Sequence, residues 1–318
     1  MSEKETSQIK SRLHHRNKNR ERYDLDALVK CKPELNQFIV KNKHGVNTVD
    51  FSNPKIVKLL NQGLLHHYYG IENWDFPDEN LCPPIPGRAD YLHYVAELLG
   101  ENNFGEIPTG EKVNCLDIGT GANCIYPIIG VVEYNWQFIA TDIHKKSLDS
   151  AKSIIQSNPI LTNKVACRLQ PNKKNIFKGI LTKKDKIDLT ICNPPFHATT
   201  EDAREGSKRK VKNLTGEGVK KAILNFSGNV NELVCDGGEN QFIQTMILES
   251  VTFAKNCLWF TSLVSKQSNL KSISKTLDRV GATEFKIIPM GTGNKSTRIV
   301  AWSFLSGKEE KEWQNKWK

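Results

Sequence analysis

The sequence lacks the features that mark a secreted, membrane-bound or metal-stabilised protein. Its 318 residues contain no apolar run near the length that crosses a bilayer, and the polar N-terminus has no apolar signal region. Its eight cysteines form no C-x-x-C pair, which argues against a zinc site and against a disulfide framework. We therefore expect a cytoplasmic protein with reduced cysteines, no metal and no membrane partner.

The balance of charge is basic. Lysine and arginine number 45 against 35 acidic residues, a formal net charge of +10. Such a surplus suits a polyanionic partner, although it also serves solubility alone. The length exceeds one ordinary domain and predicts a core domain with an accessory segment.

Three regions differ in their pattern. Residues 1–22 are polar and basic, which predicts a flexible arm, and residues 23–100 carry apolar positions at helical spacing. From about residue 101 to 318, short β-branched runs alternate with helical stretches, which predicts an α/β fold with a doubly wound, mainly parallel sheet. Residues 200–238 are rich in charge and glycine and look like an insertion. The strands are predicted at 113–118, 138–142, 165–169, 187–192, 258–264, 285–288 and 299–304, and the helices at 145–157, 240–256 and 268–280.

Two strand ends predict a nucleoside cofactor. The first strand ends in Asp117 and then in Gly119-Thr120-Gly121, a turn that lets the backbone approach a ligand closely. The next strand ends in Asp142, where a carboxylate accepts ribose hydroxyls. A nicotinamide fingerprint wants a third glycine where Cys124 stands, so that alternative is weaker. Asp117 also suits a cationic amino acid end better than a pyrophosphate.

The sequence Asn193-Pro194-Pro195-Phe196 closes the predicted fourth strand. An exocyclic amine is a poor nucleophile, and acceptors aimed at its hydrogens stabilise the positive charge that develops as a methyl group arrives. Asn193 can offer its side-chain oxygen and Pro194 its carbonyl, while Pro195 stiffens the turn. Phe196 offers a face to an unstacked base. This turn is therefore the candidate catalytic site.

The motifs together resemble the Asn-Pro-Pro-Phe/Tyr amino-methyltransferases. Within them the chain is similar to the bacterial RlmF family, which methylates N6 of one adenine in 23S ribosomal RNA, and to the related eukaryotic adenine-N6 methyltransferase of U6 small nuclear RNA. The resemblance extends over nearly the whole chain. Its motifs are HRNKNRERYDLDAL at 15–28, CPPIPGRADYLHYVAELL at 82–99, LDIGTGANCIYPIIG at 116–130, NPPFHA at 193–198, ELVCDGGENQFI at 232–243, WFTSLVSK at 259–266 and RIVAWSF at 298–304.

The resemblance implies a class I, Rossmann-like methyltransferase fold with a seven-stranded, mainly parallel sheet and a helical N-terminal extension. It also implies S-adenosyl-L-methionine as cofactor, with Arg88 at its carboxylate, Gly119 and Gly121 at its methionine part and Asp142 at its ribose. Asn175 would lie beside its adenine, and Asn193 would face both the cofactor and the target amine. Asn123 departs from the general D-x-G-x-G-x-G pattern, in which the last position is glycine.

Basic clusters flank these motifs and predict an RNA phosphate track, although each alone is more often a solvated surface. We expect a monomer that acts on ribosomal RNA or an assembly intermediate. The alternatives are the same chemistry on another RNA, on DNA adenine or on protein glutamine, and an inactive RNA-binding protein of the same fold. The candidate RNA-binding residues are Arg16, Lys18, Arg20, Arg22, Lys208, Arg209, Lys210 and Lys212.

Overall fold

The computed structural model describes residues 13–202, 205, 233–292 and 295–318. Its helices and strands alternate along most of the chain. The helices are α1 (Leu25–Cys31), α2 (Pro54–Tyr69), α3 (Ile85–Glu101), α4 (Ile125–Tyr134), α5 (Lys145–Gln156), α6 (Gly238–Ser250), α7 (Leu270–Arg279) and α8 (Gly307–Gln314). The strands are β1 (Ile39–Lys41), β2 (Asn47–Val49), β3 (Asn114–Ile118), β4 (Gln137–Asp142), β5 (Val165–Leu169), β6 (Ile187–Cys192), β7 (Cys257–Val264), β8 (Glu284–Thr292) and β9 (Lys295–Ser303).

Seven of these strands form one mixed sheet in the order β5-β4-β3-β6-β7-β9-β8. The first five in this order are parallel, and β9 pairs antiparallel to both β7 and β8. The predicted seven-stranded, mainly parallel sheet is confirmed. The strand order reverses between β3 and β6, which is where open α/β sheets bind their ligands at the carboxyl ends of the strands.

Helix α4 was not predicted from the sequence. Its residues are apolar except for Glu133, and Ile125 to Val131 are all buried, so the segment shows no clear helical period. A Cβ added to Gly130 would meet the Phe138 ring at 2.4 Å, and this glycine therefore lets the helix lie directly on β4.

The segment before the sheet is mainly helical, as its spacing predicts, but it also holds the small β1–β2 hairpin. Its long helix α2 begins where the Asn53 side chain accepts a hydrogen bond from Lys55 N at 3.0 Å, with Pro54 in the first turn. It ends at Gly70, whose φ of 66° is left-handed. No described helix combines the length and the apolar character that a membrane crossing requires.

The prediction of a flexible arm over residues 1–22 is wrong for its second half. His14, Asn17 and Asn19 are buried, and Asn17 Nδ2 donates to the Pro86 carbonyl at 2.8 Å and to Asp90 Oδ1 at 2.5 Å. Composition alone suggested too little apolar surface to order this stretch. Buried hydrogen bonds to α3 stabilise the ordered conformation of this stretch in place of apolar burial. Residues 1–12 lie outside the described residues.

The C-terminus is held by one buried carboxylate at the start of β6. Asp188 is fully buried and accepts hydrogen bonds from Trp313 Nε1 at 2.7 Å, Trp317 Nε1 at 2.9 Å, Lys316 Nζ at 2.6 Å and Asn114 N at 2.6 Å. Both oxygens are therefore occupied by donors. This carboxylate ties α8 and β3 to the strand that leads to the Asn-Pro-Pro-Phe turn.

Replacing Asp188 with asparagine should lower the free energy of unfolding by about 3 kcal/mol. The amide keeps the volume but removes the negative charge, and its NH₂ group would face donors. Urea unfolding followed by tryptophan fluorescence measures the change. Asp26→Asn, at an exposed aspartate of α1, is the matched control and should leave the midpoint unchanged. Equal midpoints for the two variants would contradict this account of the C-terminus.

Candidate functional site

Two cavities meet at Asn193, at the carboxyl edge of the sheet. The first has a volume of about 220 Å³ and lies over the ends of β3, β4 and β6, and the second has a volume of about 740 Å³ and lies toward α6 and β7. Asn193 and Arg88 line both of them. The predicted site residues at the first cavity are Arg88, Gly119, Gly121, Asp142, Asn175, Asn193, Pro194 and Pro195. The structure therefore brings together residues that are more than a hundred positions apart in the chain.

Asp117 lies beneath the first cavity and is not among the residues that line it. Its side chain is fully buried, and neither carboxylate oxygen has a hydrogen-bond partner. Burial raises the pKa of Asp117 to about 7. An unpartnered buried carboxylate of this kind is stabilised by a cationic group placed above it.

Asp142 is held in place at the wall of the first cavity. Its Oδ1 accepts from His144 N at 2.8 Å and its Oδ2 accepts from Gly121 N at 3.1 Å. Burial raises its pKa as well. Gly121 has φ of 65° and Gly119 has φ of 74°, so the turn between them uses left-handed conformations that glycine adopts without strain.

The loop that carries Asn175 is braced from α6. The Glu249 carboxylate accepts hydrogen bonds from Ile176 N at 2.7 Å, Phe177 N at 3.1 Å and Lys178 N at 2.5 Å. These contacts keep Asn175 at the first cavity, beside Lys173. Glu249 is distant in sequence and belongs to no motif, so nothing in the sequence alone identified it.

Asn123, which departs from the general glycine pattern, has a structural task. Its Oδ1 accepts from Ile125 N at 3.2 Å at the start of α4, and its Nδ2 donates to the Leu81 carbonyl at 3.3 Å. Its own carbonyl accepts from Trp74 Nε1 at 2.7 Å. The side chain therefore ties the glycine turn to the segment that precedes the sheet, and this segment supplies Leu81 and Pro83 to the cavity wall.

Several cavity residues were not predicted as site residues. They come from loops that carry no distinctive motif or from inside motifs in which other residues were singled out. Among those that line the first cavity are Leu81, Pro83, Tyr126, Ile143, His144, Gln170, Lys173 and Phe242. Of these, His144 Nε2 is buried and has no hydrogen-bond partner, and the Arg88 guanidinium lies 5.7 Å from the centre of the Tyr126 ring.

The Asn-Pro-Pro-Phe turn separates the two cavities. The Asn193 Oδ1 atom is buried and has no hydrogen-bond partner. Phe196 lines the second cavity and not the first, whereas Asn193 lines both. The turn thus carries an amide oxygen without a partner and an aromatic ring at one cavity, and a planar base with an exocyclic amine requires both groups.

Backbone pairing holds the residues that follow the turn. His197 N donates to the Leu233 carbonyl at 3.0 Å, and Cys235 N donates to the His197 carbonyl at 3.1 Å. A Cβ on Gly238 would lie 3.2 Å from Ala198 N, so the close approach requires glycine there. This pairing explains in physical terms why the Cys-Asp-Gly-Gly-Glu sequence accompanies the turn.

A buried glutamate fixes the opposite wall of the second cavity. Glu239 is 2% exposed, and its carboxylate accepts from Ser265 N at 2.7 Å, Lys266 N at 3.2 Å and Asn269 Nδ2 at 2.7 Å. It therefore joins the start of α6 to the loop after β7. Both ends of that contact line the second cavity.

The predicted RNA-binding cations are only partly described. Arg16, Lys18 and Arg22 are exposed and Arg20 is half-buried. Lys18 Nζ lies 2.9 Å from Glu133 Oε1 and donates to the Tyr68 carbonyl at 3.0 Å, so part of its charge is neutralised within the protein. The predicted residues Lys208, Arg209, Lys210 and Lys212 lie outside the described residues.

One group of side chains in the described part of the chain has atoms that could ligate a metal, namely His14, His15 and Glu97. His14 Nδ1 accepts a hydrogen bond from Arg16 N at 3.2 Å, so the neutral ring carries its proton on Nε2, which lies 3.2 Å from Glu97 Oε2. Burial lowers the pKa of His14.

Comparison with known proteins finds relatives over nearly the whole chain. A family model described as RNA methyltransferase matches residues 7–306. The protein named ribosomal RNA large subunit methyltransferase F of Flavobacterium johnsoniae is 53% identical over 98% of this chain and 99% of its own length. The protein of the same name from Cytophaga hutchinsonii is 50% identical over 100% of this chain and 99% of its own length.

Solved structures agree in fold. The catalytic domain of human METTL16 in complex with a MAT2A 3′UTR hairpin has a TM-score of 0.78 at 26% identity, covering 93% of this chain and 96% of that one. The N-terminal domain of human METTL16 in complex with SAH has a TM-score of 0.72 at 25% identity, covering 92% and 99%. The predicted class I methyltransferase fold is confirmed.

Asn123→Gly, which restores the general glycine pattern, should lower the free energy of unfolding by about 1–2 kcal/mol and loosen the turn above Asp117. The reason is that the change removes the hydrogen bond to Ile125 N at the start of α4 and the link to Leu81. Thermal unfolding and amide exchange of the 116–126 peptide measure both effects. Asn163→Gly is the matched control, because Asn163 has φ of 64° and glycine suits that conformation. A variant at 123 as stable as the control would refute the role given to this side chain.

Proposed function

The chain belongs to the RNA methyltransferase family, and from this membership we propose that it transfers the methyl group of S-adenosyl-L-methionine to the N6 amine of one adenine in 23S ribosomal RNA. The observation that carries the proposal is the position of Asn193, whose unpartnered oxygen lies between two cavities. One cavity has the chemistry of a nucleoside cofactor site and the other that of a base site. Membership of this family excludes the alternative of a nicotinamide oxidoreductase. That alternative also gives no role to the second cavity.

The first cavity fits S-adenosyl-L-methionine, which supplies an electrophilic methyl group when bound. The unpartnered carboxylate of Asp117, beneath this cavity, is suited to the cofactor's ammonium group, and Arg88, which lines the cavity, is suited to its carboxylate. Asp142 is suited to the ribose hydroxyls, and Asn175 to the adenine edge. Gly119 and Gly121 let the backbone approach the methionine part.

The second cavity fits a single unstacked adenine. Phe196 would stack on the base, while Asn193 Oδ1 and the Pro194 carbonyl would accept the two hydrogens of the N6 amine. These two acceptors favour a pyramidal nitrogen and stabilise the positive charge that develops on it. Pro195 holds the turn rigid and donates no competing hydrogen bond. The residues thus act by alignment, and the amine proton leaves to solvent without a strong base.

The RNA would follow the basic surfaces that flank the base site. Arg16, Lys18, Arg20 and Arg22 lie on the docked part of the N-terminal segment, and the lysine and arginine cluster at 208–212 follows the Asn-Pro-Pro-Phe turn in sequence. The relatives' name, ribosomal RNA large subunit methyltransferase, supports ribosomal RNA as the substrate. We further propose a cytoplasmic monomer that needs no metal.

Asn193→Ala should abolish methyl transfer to large-subunit RNA, with a fall in kcat of about 100-fold or more, because one of the two amine acceptors is lost. Cofactor affinity should change little, since most cavity contacts remain. Labelled methyl incorporation into RNA from cells lacking the gene measures the activity, and mapping of N6-methyladenine locates the product. Asn36→Ala, at an exposed amide outside the cavities, is the control. Full activity of the Asn193→Ala variant would contradict the proposal, and so would a wild-type protein that binds RNA without methylating it.

Cofactor affinity should fall as pH falls through 7. The carboxyl group of Asp117 has a pKa of about 7 in the free protein, and a cationic ligand requires the ionised form, so binding at lower pH must expel a proton. Between pH 7.5 and 5.5 the affinity should drop on the order of tenfold. Titration calorimetry in two buffers of different ionisation enthalpy measures the affinity and the released proton.

Asp117→Asn is the matched variant for this measurement. It should bind more weakly at pH 7.5 and show a shallower pH dependence, with the remaining slope from Asp142, whose pKa is also raised. An equally steep pH dependence in this variant would assign the titration to another group.

A further inference from the structure

The strand that carries the Asn-Pro-Pro-Phe turn separates from its neighbour before it reaches that turn. Strands β6 and β7 pair in parallel register at Ile187 with Cys257 and at Leu189 with Trp259, and the register ends there. Both strands continue, β6 to Cys192 and β7 to Val264. On its other side β6 stays paired with β3 up to Ile118 with Cys192, so only the groups that face β7 need other partners.

Threonine side chains take over the first of these backbone groups. Thr261 N donates to Thr190 Oγ1 at 2.8 Å, and Thr261 Oγ1 donates to the Thr190 carbonyl at 2.5 Å. Each contact places a side-chain oxygen where a parallel ladder would place a backbone atom. The two strands are thus joined here through threonine side chains and not through a backbone ladder.

Tyr91, from α3, supplies the next partner. Its side chain is fully buried, and its hydroxyl lies 2.7 Å from Thr261 Oγ1 and accepts a hydrogen bond from Cys192 N at 3.2 Å. Since Thr261 Oγ1 already donates to Thr190, the Tyr91 hydroxyl must donate to Thr261. The phenol is therefore satisfied as both donor and acceptor, with one contact on each strand.

The residue after Cys192 is Asn193. The hydrogen bond from Cys192 N consequently fixes the peptide that leads directly into the proposed catalytic side chain. Tyr91 also lies one helical turn from Arg88, which lines both cavities, so one face of α3 contacts both halves of the site.

We propose that Tyr91 is a positioning residue, whose hydroxyl bridges β6 and β7 beyond their paired residues and sets the direction of the Asn193 side chain. This inference rests on the proposed function for its catalytic consequence but not for its structural one. Loss of the hydroxyl would leave Cys192 N without a partner and let the turn shift toward β7. A displacement of about 1 Å at a reacting group is enough to cost up to a hundredfold in rate.

The test is Tyr91→Phe, which keeps the ring and its packing and removes only the hydroxyl. Amide exchange of the peptide spanning 187–196 should become about tenfold faster, while the β3 peptide spanning 114–118 should not change. The kcat for methyl transfer should fall by about 10- to 100-fold with KM for RNA and cofactor affinity unchanged. Tyr94→Phe, on the same helix at a half-buried tyrosine, is the matched control and should resemble the wild type.

A second pair of variants covers the case in which Tyr91→Phe does not fold. Thr261→Val removes the hydroxyl that bridges Tyr91 and Thr190 and should reproduce the faster exchange and the lower kcat, whereas Thr261→Ser keeps that hydroxyl and should restore both. Unchanged exchange and kcat in Tyr91→Phe, or equal behaviour of the two Thr261 variants, would overturn the inference. The exchange measurement decides the positioning role even if large-subunit RNA proves not to be the substrate.

Discussion

The structure depends on how strand β6 is held at its two ends. At its start, the buried Asp188 carboxylate collects donors from β3 and from the C-terminal tryptophans and lysine. At its end, the amide of Cys192 is held by the Tyr91 hydroxyl. Because a strand shifted by one residue would turn every side chain to the other face, fixing both ends also fixes which way Asn193 points.

The site is built around polar atoms that the protein leaves unsatisfied. Buried polar groups normally find partners, yet the Asp117 carboxylate, His144 Nε2 and Asn193 Oδ1 have none, and all three belong to the site. Around them the supporting carboxylates of Glu239 and Glu249 are fully occupied by backbone donors. The two carboxylates that hold the walls are thus satisfied within the protein, whereas these three groups at the site are not, which suits a site that is organised before its ligands arrive.

The N-terminal segment is part of this site and not an appendage. It contributes Leu81 and Pro83 to the first cavity, braces the glycine turn through Trp74, and carries Arg88 on α3. The docked residues His14 and Asn17 in turn fix the start of that helix through Asp90. A substitution far from the cavities can therefore act on the site through α3.

The sequence by itself determined the sheet and the chemistry of the turn. Strand ends at Asp117, Asp142 and Asn193 could be predicted because short apolar runs followed by acids, glycines or prolines have local causes, and parallel strands bring such ends to one edge. The family resemblance rested on the same local motifs. Helix α4 was not predicted because nearly all of its residues are apolar and show no clear helical period.

Only the tertiary structure decided which residues support the site. The docking of residues 13–22, the bracing by Glu239 and Glu249, and the place of Tyr91 between two strands all depend on hydrogen bonds between distant parts of the chain. A buried polar side chain and an exposed one look alike in a sequence, since the difference lies in the partner and not in the residue. For this reason the sequence indicates what the chain can do, and the fold decides how firmly the acting groups are held.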